Sequence, residues 1–79
     1  MPKSKGIVAV TNRLDRQIRF ILEPWADEVM LSPGESVQVS FTGPSDGLME
    51  FEVTEGDVIL YGWERSALEI VGKKSSGIT

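Results

Sequence analysis

Across residues 36–42, apolar and polar side chains alternate without a break. Val37, Val39 and Phe41 fall on one side, and Ser36, Gln38, Ser40 and Thr42 on the other. Residues 48–54 repeat the pattern, with Met49, Phe51 and Val53 set against Glu50, Glu52 and Thr54. A helix would scatter both sets around its axis. A strand, whose side chains repeat every second residue, sends each apolar trio toward a core and each polar set toward water. This alternation restricts the chain to sheets.

Two further runs, Ile7-Val8-Ala9-Val10 and Val58-Ile59-Leu60-Tyr61, are apolar on both faces, as expected of strands covered on both sides. Val29 and Leu31 are in phase in a short strand over residues 27–31, and residues 67–71 read as a weaker strand or a helical turn. One segment supports two readings. Leu14, Ile18, Ile21 and Leu22 sit at helical spacing, with Asn12 as N-cap and Pro24 as stop. Ile18, Phe20 and Leu22 also alternate with Gln17 and Arg19, and the β-formers favour the strand, paired as a hairpin with residues 7–11 through the turn Asn12-Arg13-Leu14-Asp15.

Turn residues punctuate the runs about every ten residues, as in sandwiches and barrels. Ser32-Pro33-Gly34-Glu35 suits a type II turn, Gly43-Pro44-Ser45-Asp46-Gly47 is a second break, and Glu55-Gly56-Asp57 is short enough for a hairpin. The expected strands are 7–11, 17–22, 27–31, 36–42, 48–54, 57–63 and 67–71, with sequence neighbours antiparallel because the connections are short. The fold class is therefore all-β: a small antiparallel six- or seven-stranded sandwich or flattened barrel. It is one domain over residues 6–72, with flexible termini at 1–5 and 73–79.

The chain has 79 residues with no Cys and no His. Disulfides, thiolate chemistry, imidazole catalysis, zinc held by Cys or His, and type-1 copper are all excluded. No Gly-rich phosphate loop occurs, no apolar run approaches the length of a membrane span, and the initial run at Ile7–Val10 is too short for a signal-peptide core. The expected setting is cytoplasmic, with no cofactor and no metal. A sheet protein this small, without a covalent or metal staple, must pack unusually well or bury surface against a partner. A homodimer through an edge strand or an apolar sheet face is the simplest such partner, with Val58-Ile59-Leu60-Tyr61 a candidate surface unless it is a central strand.

The charge of −4 is unevenly spread. Lys3, Lys5, Arg13, Arg16 and Arg19 oppose only Asp15 in the first 19 residues. No Lys or Arg occurs over residues 20–64, which hold Glu23, Asp27, Glu28, Glu35, Asp46, Glu50, Glu52, Glu55, Asp57 and Glu64. Arg65, Lys73 and Lys74 then oppose Glu69. Folding the basic ends over the acidic middle would neutralise it; otherwise an acidic face repels nucleic acid and anionic membrane. Arg13, Arg16 and Arg19 lie near Phe20, but the paired aromatic motifs of sheet-based RNA binders are missing, so neither nucleic acid nor membrane is an expected partner.

The most distinctive residues are Trp25, in Glu23-Pro24-Trp25-Ala26-Asp27-Glu28, and Trp63, in Tyr61-Gly62-Trp63-Glu64-Arg65. Each indole stands at a strand end among carboxylates. Such a pairing stacks on a sugar or anchors a protein partner, while the plainer reading has both rings capping the core. The expected binding residues are Trp25, Trp63, Tyr61, Asp27 and Glu28. Glu55, Asp57 and Asp46 are candidates for a weak calcium site, although no D-x-[DN]-x-[DN]-G loop is present. Glu50 and Glu52 share a face, but a sheet of this size offers little cleft for acid catalysis. The expectation is a non-catalytic binding or assembly module that contacts a protein partner or itself, with a small-ligand binder, for carbohydrate or calcium, as the alternative.

The stretch Val29-Met30-Leu31-Ser32-Pro33-Gly34-Glu35-Ser36-Val37-Gln38-Val39 resembles the strand–turn–strand of cupredoxin-like and immunoglobulin-like sandwiches, in which a Gly-acid turn opens an alternating strand. Copper binding does not follow from it, because the His and Cys ligands are missing. The Glu-Pro-Trp and Tyr-Gly-Trp settings of Trp25 and Trp63 are similar to those of small uncharacterised all-β bacterial proteins, over about residues 17–71. That likeness implies a fold and no activity.

Overall fold

The computed structural model describes residues 2–75. Seven strands follow one another: β1 (Lys3–Thr11), β2 (Ile18–Glu23), β3 (Asp27–Leu31), β4 (Ser36–Pro44), β5 (Glu50–Val53), β6 (Asp57–Tyr61) and β7 (Ala67–Lys74). No helix occurs among the described residues. The stretch with two readings is a strand, β2, because its alternating Ile18, Phe20 and Leu22 all enter the core. The strands form a three-stranded sheet, β1-β4-β7, and a four-stranded sheet, β3-β2-β6-β5, with no barrel closure. Phe20, Leu22, Leu31 and Leu60 from the larger sheet and Val37, Val39 and Leu68 from the smaller make one buried cluster.

The topology departs from the expected chain of hairpins. Only β2–β3 and β5–β6 join sequence neighbours as antiparallel pairs. β1 pairs with β4 rather than β2, and β2 pairs with β6 in parallel. The reason lies in the connections. Residues 12–17 and 32–35 each carry the chain from one sheet to the other at one end of the molecule, and Asn12 ties them together. Its backbone N–H donates to Glu35 O (2.9 Å), and its backbone C=O accepts from Gly34 N (2.7 Å). Its side-chain Nδ2 donates to Leu31 O and Arg16 O, each at 2.9 Å, while Oδ1 accepts from Leu14 N. Asn12 is buried, and it acts as a clasp rather than a helix cap. The Ser32–Glu35 turn closes as expected, with Gly34 at φ 87° and Glu35 N donating to Ser32 O.

At the opposite end the other two sheet crossings, residues 45–49 and 62–66, meet around Trp63. Its indole Nε1 donates to Pro44 O at 2.9 Å, and its ring packs edge-on to Phe41 with centroids 6.3 Å apart. A Cβ built on Gly43 would come within 2.8 Å of the indole, and one on Gly47 would overlap it, so the ring lies directly on both backbones.

Two expected burial patterns fail at sheet edges. Ile7 is 65% exposed because β1 is an edge strand, covered only on its Val8 and Val10 side. Phe51 and Val53 have the inward phase of Leu60 and Val58, yet both are exposed. They lie on β5, the edge strand of a sheet one strand wider than its partner. β1 begins at Lys3 and β7 ends at Lys74, so both ladders run into stretches expected to fray. The end of the expected flexible tail, residues 76–79, lies outside the described residues.

Candidate functional site

Register fixes what each face of the larger sheet shows. Ile18, Phe20 and Leu22 point inward, so Arg19, Ile21 and Glu23 point outward. Their partners across the ladders put Glu28 and Met30 of β3 on the same outer face, with Asp57, Ile59 and Tyr61 of β6 and Glu50 and Glu52 of β5. Ile21 and Ile59, direct neighbours in the parallel pair, form an apolar centre that Met30 and Tyr61 extend. Carboxylates border it on every strand.

The one basic side chain on this face is occupied. Arg19 grips Asp57 with two hydrogen bonds, Nε to Oδ1 at 2.9 Å and Nη2 to Oδ2 at 3.2 Å, and it has Glu28 at 3.9 Å. The guanidinium's hydrogen bonds hold the Asp57 carboxyl below the usual carboxylate range. At the other end of the face, the Tyr61 hydroxyl donates to Glu52 Oε1 at 2.7 Å. That hydrogen bond, partial burial and the nearby charges of Glu52, Glu23 and Glu50 push the phenol upward. Tyr61 thus stands among Glu23, Glu50 and Glu52 on this face.

Of the five residues expected to bind, Tyr61 and Glu28 share this outer face. Asp27 pairs with inward-facing Leu22, so it has the opposite phase and stands apart from them. The two tryptophans lie at one end of the molecule but do different work. Trp63 props the crossing chains, as the plainer reading had it, and is partly buried against the core. Trp25 is 41% exposed, in the tight connection between β2 and β3. Its ring covers the backbone of Gly62, where a built Cβ would meet it at 2.9 Å, beside Tyr61. The sequence offered Ile59 only within the apolar run 58–61 and did not bring it together with Arg19 and Ile21 on one face. Their signal, the shared phase of β2 and β6, becomes informative only once the parallel pairing is known.

The calcium arrangement does not form: Asp57 is engaged by Arg19, and among the described residues no three carboxylates converge as metal ligands. Nor do Arg16, Arg19 and Phe20 form a nucleic-acid platform. Phe20 is wholly buried, Arg19 holds Asp57, and Arg16 donates to Glu55 O. Val58-Ile59-Leu60-Tyr61 is not an edge available for pairing, because β6 is bonded on both sides. A shallow depression of about 530 Å³ lies over the smaller sheet, bordered by Lys5, Ile7, Ser40, Thr42 and Glu69, with no cluster of like charges. No helix among the described residues is long and apolar enough to cross a membrane. No family model, curated protein or solved structure matches this chain, so the likeness to cupredoxin-like and immunoglobulin-like sandwiches rests on residues 29–39 alone.

Proposed function

We propose that this chain is a non-catalytic binding module of sandwich architecture that engages a protein partner through the outer face of its four-stranded sheet. The observation that carries this reading is the apolar diagonal of Met30, Ile21, Ile59 and Tyr61, bordered by Glu23, Glu28, Glu50 and Glu52, with the arginine on this face already neutralised by Asp57. An apolar centre within a polar rim is the anatomy of a docking surface. A rim of one sign selects a partner of the other, so the fitting segment alternates basic and apolar residues.

The test is a titration of the isotopically labelled protein with a short peptide of alternating lysine and leucine, read by amide chemical shifts. Shifts should cluster on residues 19–23, 50–52 and 57–61. Reversing Glu50 and Glu52 to lysine together should weaken binding about tenfold, as expected for two rim charges. Absence of shifts on this face sinks the reading, as does equal binding of a lysine-only peptide.

A second reading has one observation in its favour. Trp25 is half-exposed and follows Glu23 by two residues in the chain, and a half-exposed indole can stack on a sugar ring. A tryptophan-fluorescence titration with mixed glycans tests it, and an unchanged spectrum removes it.

A further inference from the structure

The four sheet edges are not protected alike. β3 is five residues long and carries Asp27 and Glu28, and β5 is four residues long and carries Glu50 and Glu52. β7 carries Glu69, Lys73 and Lys74, and its register with β4 shifts between Gln38 and Val39, skipping Val71. Short length, charge and bulges are the usual defences of an open edge. β1 is nine residues long and in unbroken register with β4, and after Lys5 it runs Gly6-Ile7-Val8-Ala9-Val10-Thr11 with no charge and no proline. Among the described residues, no strand lies on its other side.

The ladder shows which backbone groups stay open. Asn12 N donates to Glu35 O, and Ser45 N donates to Pro2 O. Both pairs continue the β1–β4 register, so the even-numbered residues of β1 exchange hydrogen bonds with β4. Lys3, Lys5, Ile7, Ala9 and Thr11 therefore turn their N–H and C=O groups toward the open edge. Ile7 is the midpoint of the strand and belongs to that open set.

We infer that β1 pairs antiparallel with β1 of a second copy about a two-fold axis at Ile7, joining the two small sheets into one of six strands. This register is self-complementary. Ile7 faces Ile7 of the second copy, Lys5 faces Ala9, and Lys3 faces Thr11, so all five open residues are paired and no lysine faces a lysine. Shifting the axis one residue to Val8 would leave Lys3 opposite Arg13, a like-charge pair beyond the strand end. The Ile7 side chains, each 65% exposed in the single chain, cover one another. The assembly uses the opposite sheet from the acidic face and leaves that face open, so the two readings stand or fall separately.

Sedimentation equilibrium tests it. The wild-type chain should show twice 8.7 kDa with concentration-dependent dissociation. Ala9→Pro removes an N–H that points to the open edge and leaves the β4 ladder intact, so it should sediment at 8.7 kDa with unchanged far-ultraviolet dichroism. Ile7→Lys, an exposed substitution that sets like charges together on the axis, should do the same. Because the chain has no cysteine, Ile7→Cys reports the register directly. Residues facing each other on the axis lie within disulfide range, so mild oxidation should cross-link Ile7→Cys but not Ala9→Cys. A wild-type monomer at about 1 mM overturns the inference. So does a dimer that survives both Ala9→Pro and Ile7→Lys, or preferential cross-linking through position 9. The peptide titration of the acidic face, repeated on Ala9→Pro, reads the binding proposal independently of assembly.

Discussion

Asn12 shows how much one side chain can decide. It is the only buried polar residue of the described core, and its amide satisfies Leu31 O, Arg16 O and Leu14 N together. Asn12→Ala strands those groups near the core, and a buried polar group left without a partner costs about 1–3 kcal/mol. The variant should lose about 2–3 kcal/mol in urea denaturation, and Asn12→Asp, which cannot donate to two carbonyls, should lose as much. A loss under about 0.5 kcal/mol would show that the clasp is not needed. From the sequence Asn12 read as a turn or cap residue, because its long-range partner Leu31 is 19 positions away and no local pattern reveals it. Tyr61 makes a second claim at this scale. It is the sole tyrosine, so its ultraviolet absorbance titrates alone. Its ionisation should lie above the usual tyrosine value of about 10, and Glu52→Ala should bring it down by removing the hydrogen-bond acceptor and the nearest charge. The sign for stability follows. A phenol held protonated in the fold contributes stability that is complete below its unfolded value and is lost as pH rises through the folded one. The tyrosine of Glu52→Ala should therefore ionise at lower pH, and an unmoved titration would remove the carboxylate cluster as the cause.

At the scale of elements, the strands were legible and their partners were not. Period-two alternation located β2, β3, β4 and β5, short doubly apolar runs located β1 and β6, and β7 was open between strand and helical turn, because these signals are written locally. Pairing is set by the connections that cross between sheets, and those are decided by Asn12 at one end and Trp63 at the other. Residues 48–54 show the limit of reading burial from alternation. Phe51 and Val53 carry the correct phase, but nothing opposite covers them, since sheet width is a property of the whole topology. The acidic face was legible as a run without Lys or Arg, but its apolar centre of Ile21 and Ile59 was not, because two strands far apart in sequence supply it. The Trp63 clasp gives this scale its prediction. Gly47 has no room for a methyl group, so Gly47→Ala must displace the indole from Gly43 and from its bond to Pro44 O. The variant should lose about 2–4 kcal/mol and blue-shifted tryptophan emission, while Gly56→Ala, which meets nothing within 4 Å, should change stability by less than about 1 kcal/mol. Equal effects from the two substitutions would mean that the close approach to Trp63 is not what keeps position 47 glycine.

For the whole molecule, the folding of a two-sign sequence has a definite outcome. Among the described residues, the basic ends meet the acidic middle only at Arg16, Arg19 and Lys73. β1 and β7, with Lys3, Lys5, Lys73 and Lys74, flank the uncharged β4 in one sheet, and Glu23, Glu28, Glu50, Glu52 and Asp57 lie on the outer face of the other. Among the described residues the contacts that do link opposite charges are few: Arg19 with Asp57 and Glu28, and Lys73 with Glu35 at 3.4 Å. Glu23 and Glu50 stand opposite Tyr61 on the two ladders, and Glu52 is two residues from Glu50 on the same face. Like charges on a sheet face oppose folding, and they are screened beyond about 10 Å at 0.1 M salt. If that repulsion outweighs the surface ion pairs, each worth little in water, added sodium chloride should raise the urea midpoint of the wild type. Glu50→Lys should raise the midpoint at low salt and flatten its salt dependence, since it converts repulsion around Tyr61 into attraction. A wild-type midpoint that falls as salt rises would show the ion pairs to be the stronger influence. The acidic surface would then be an energetically neutral feature of the fold rather than one that disfavours it until a basic partner arrives.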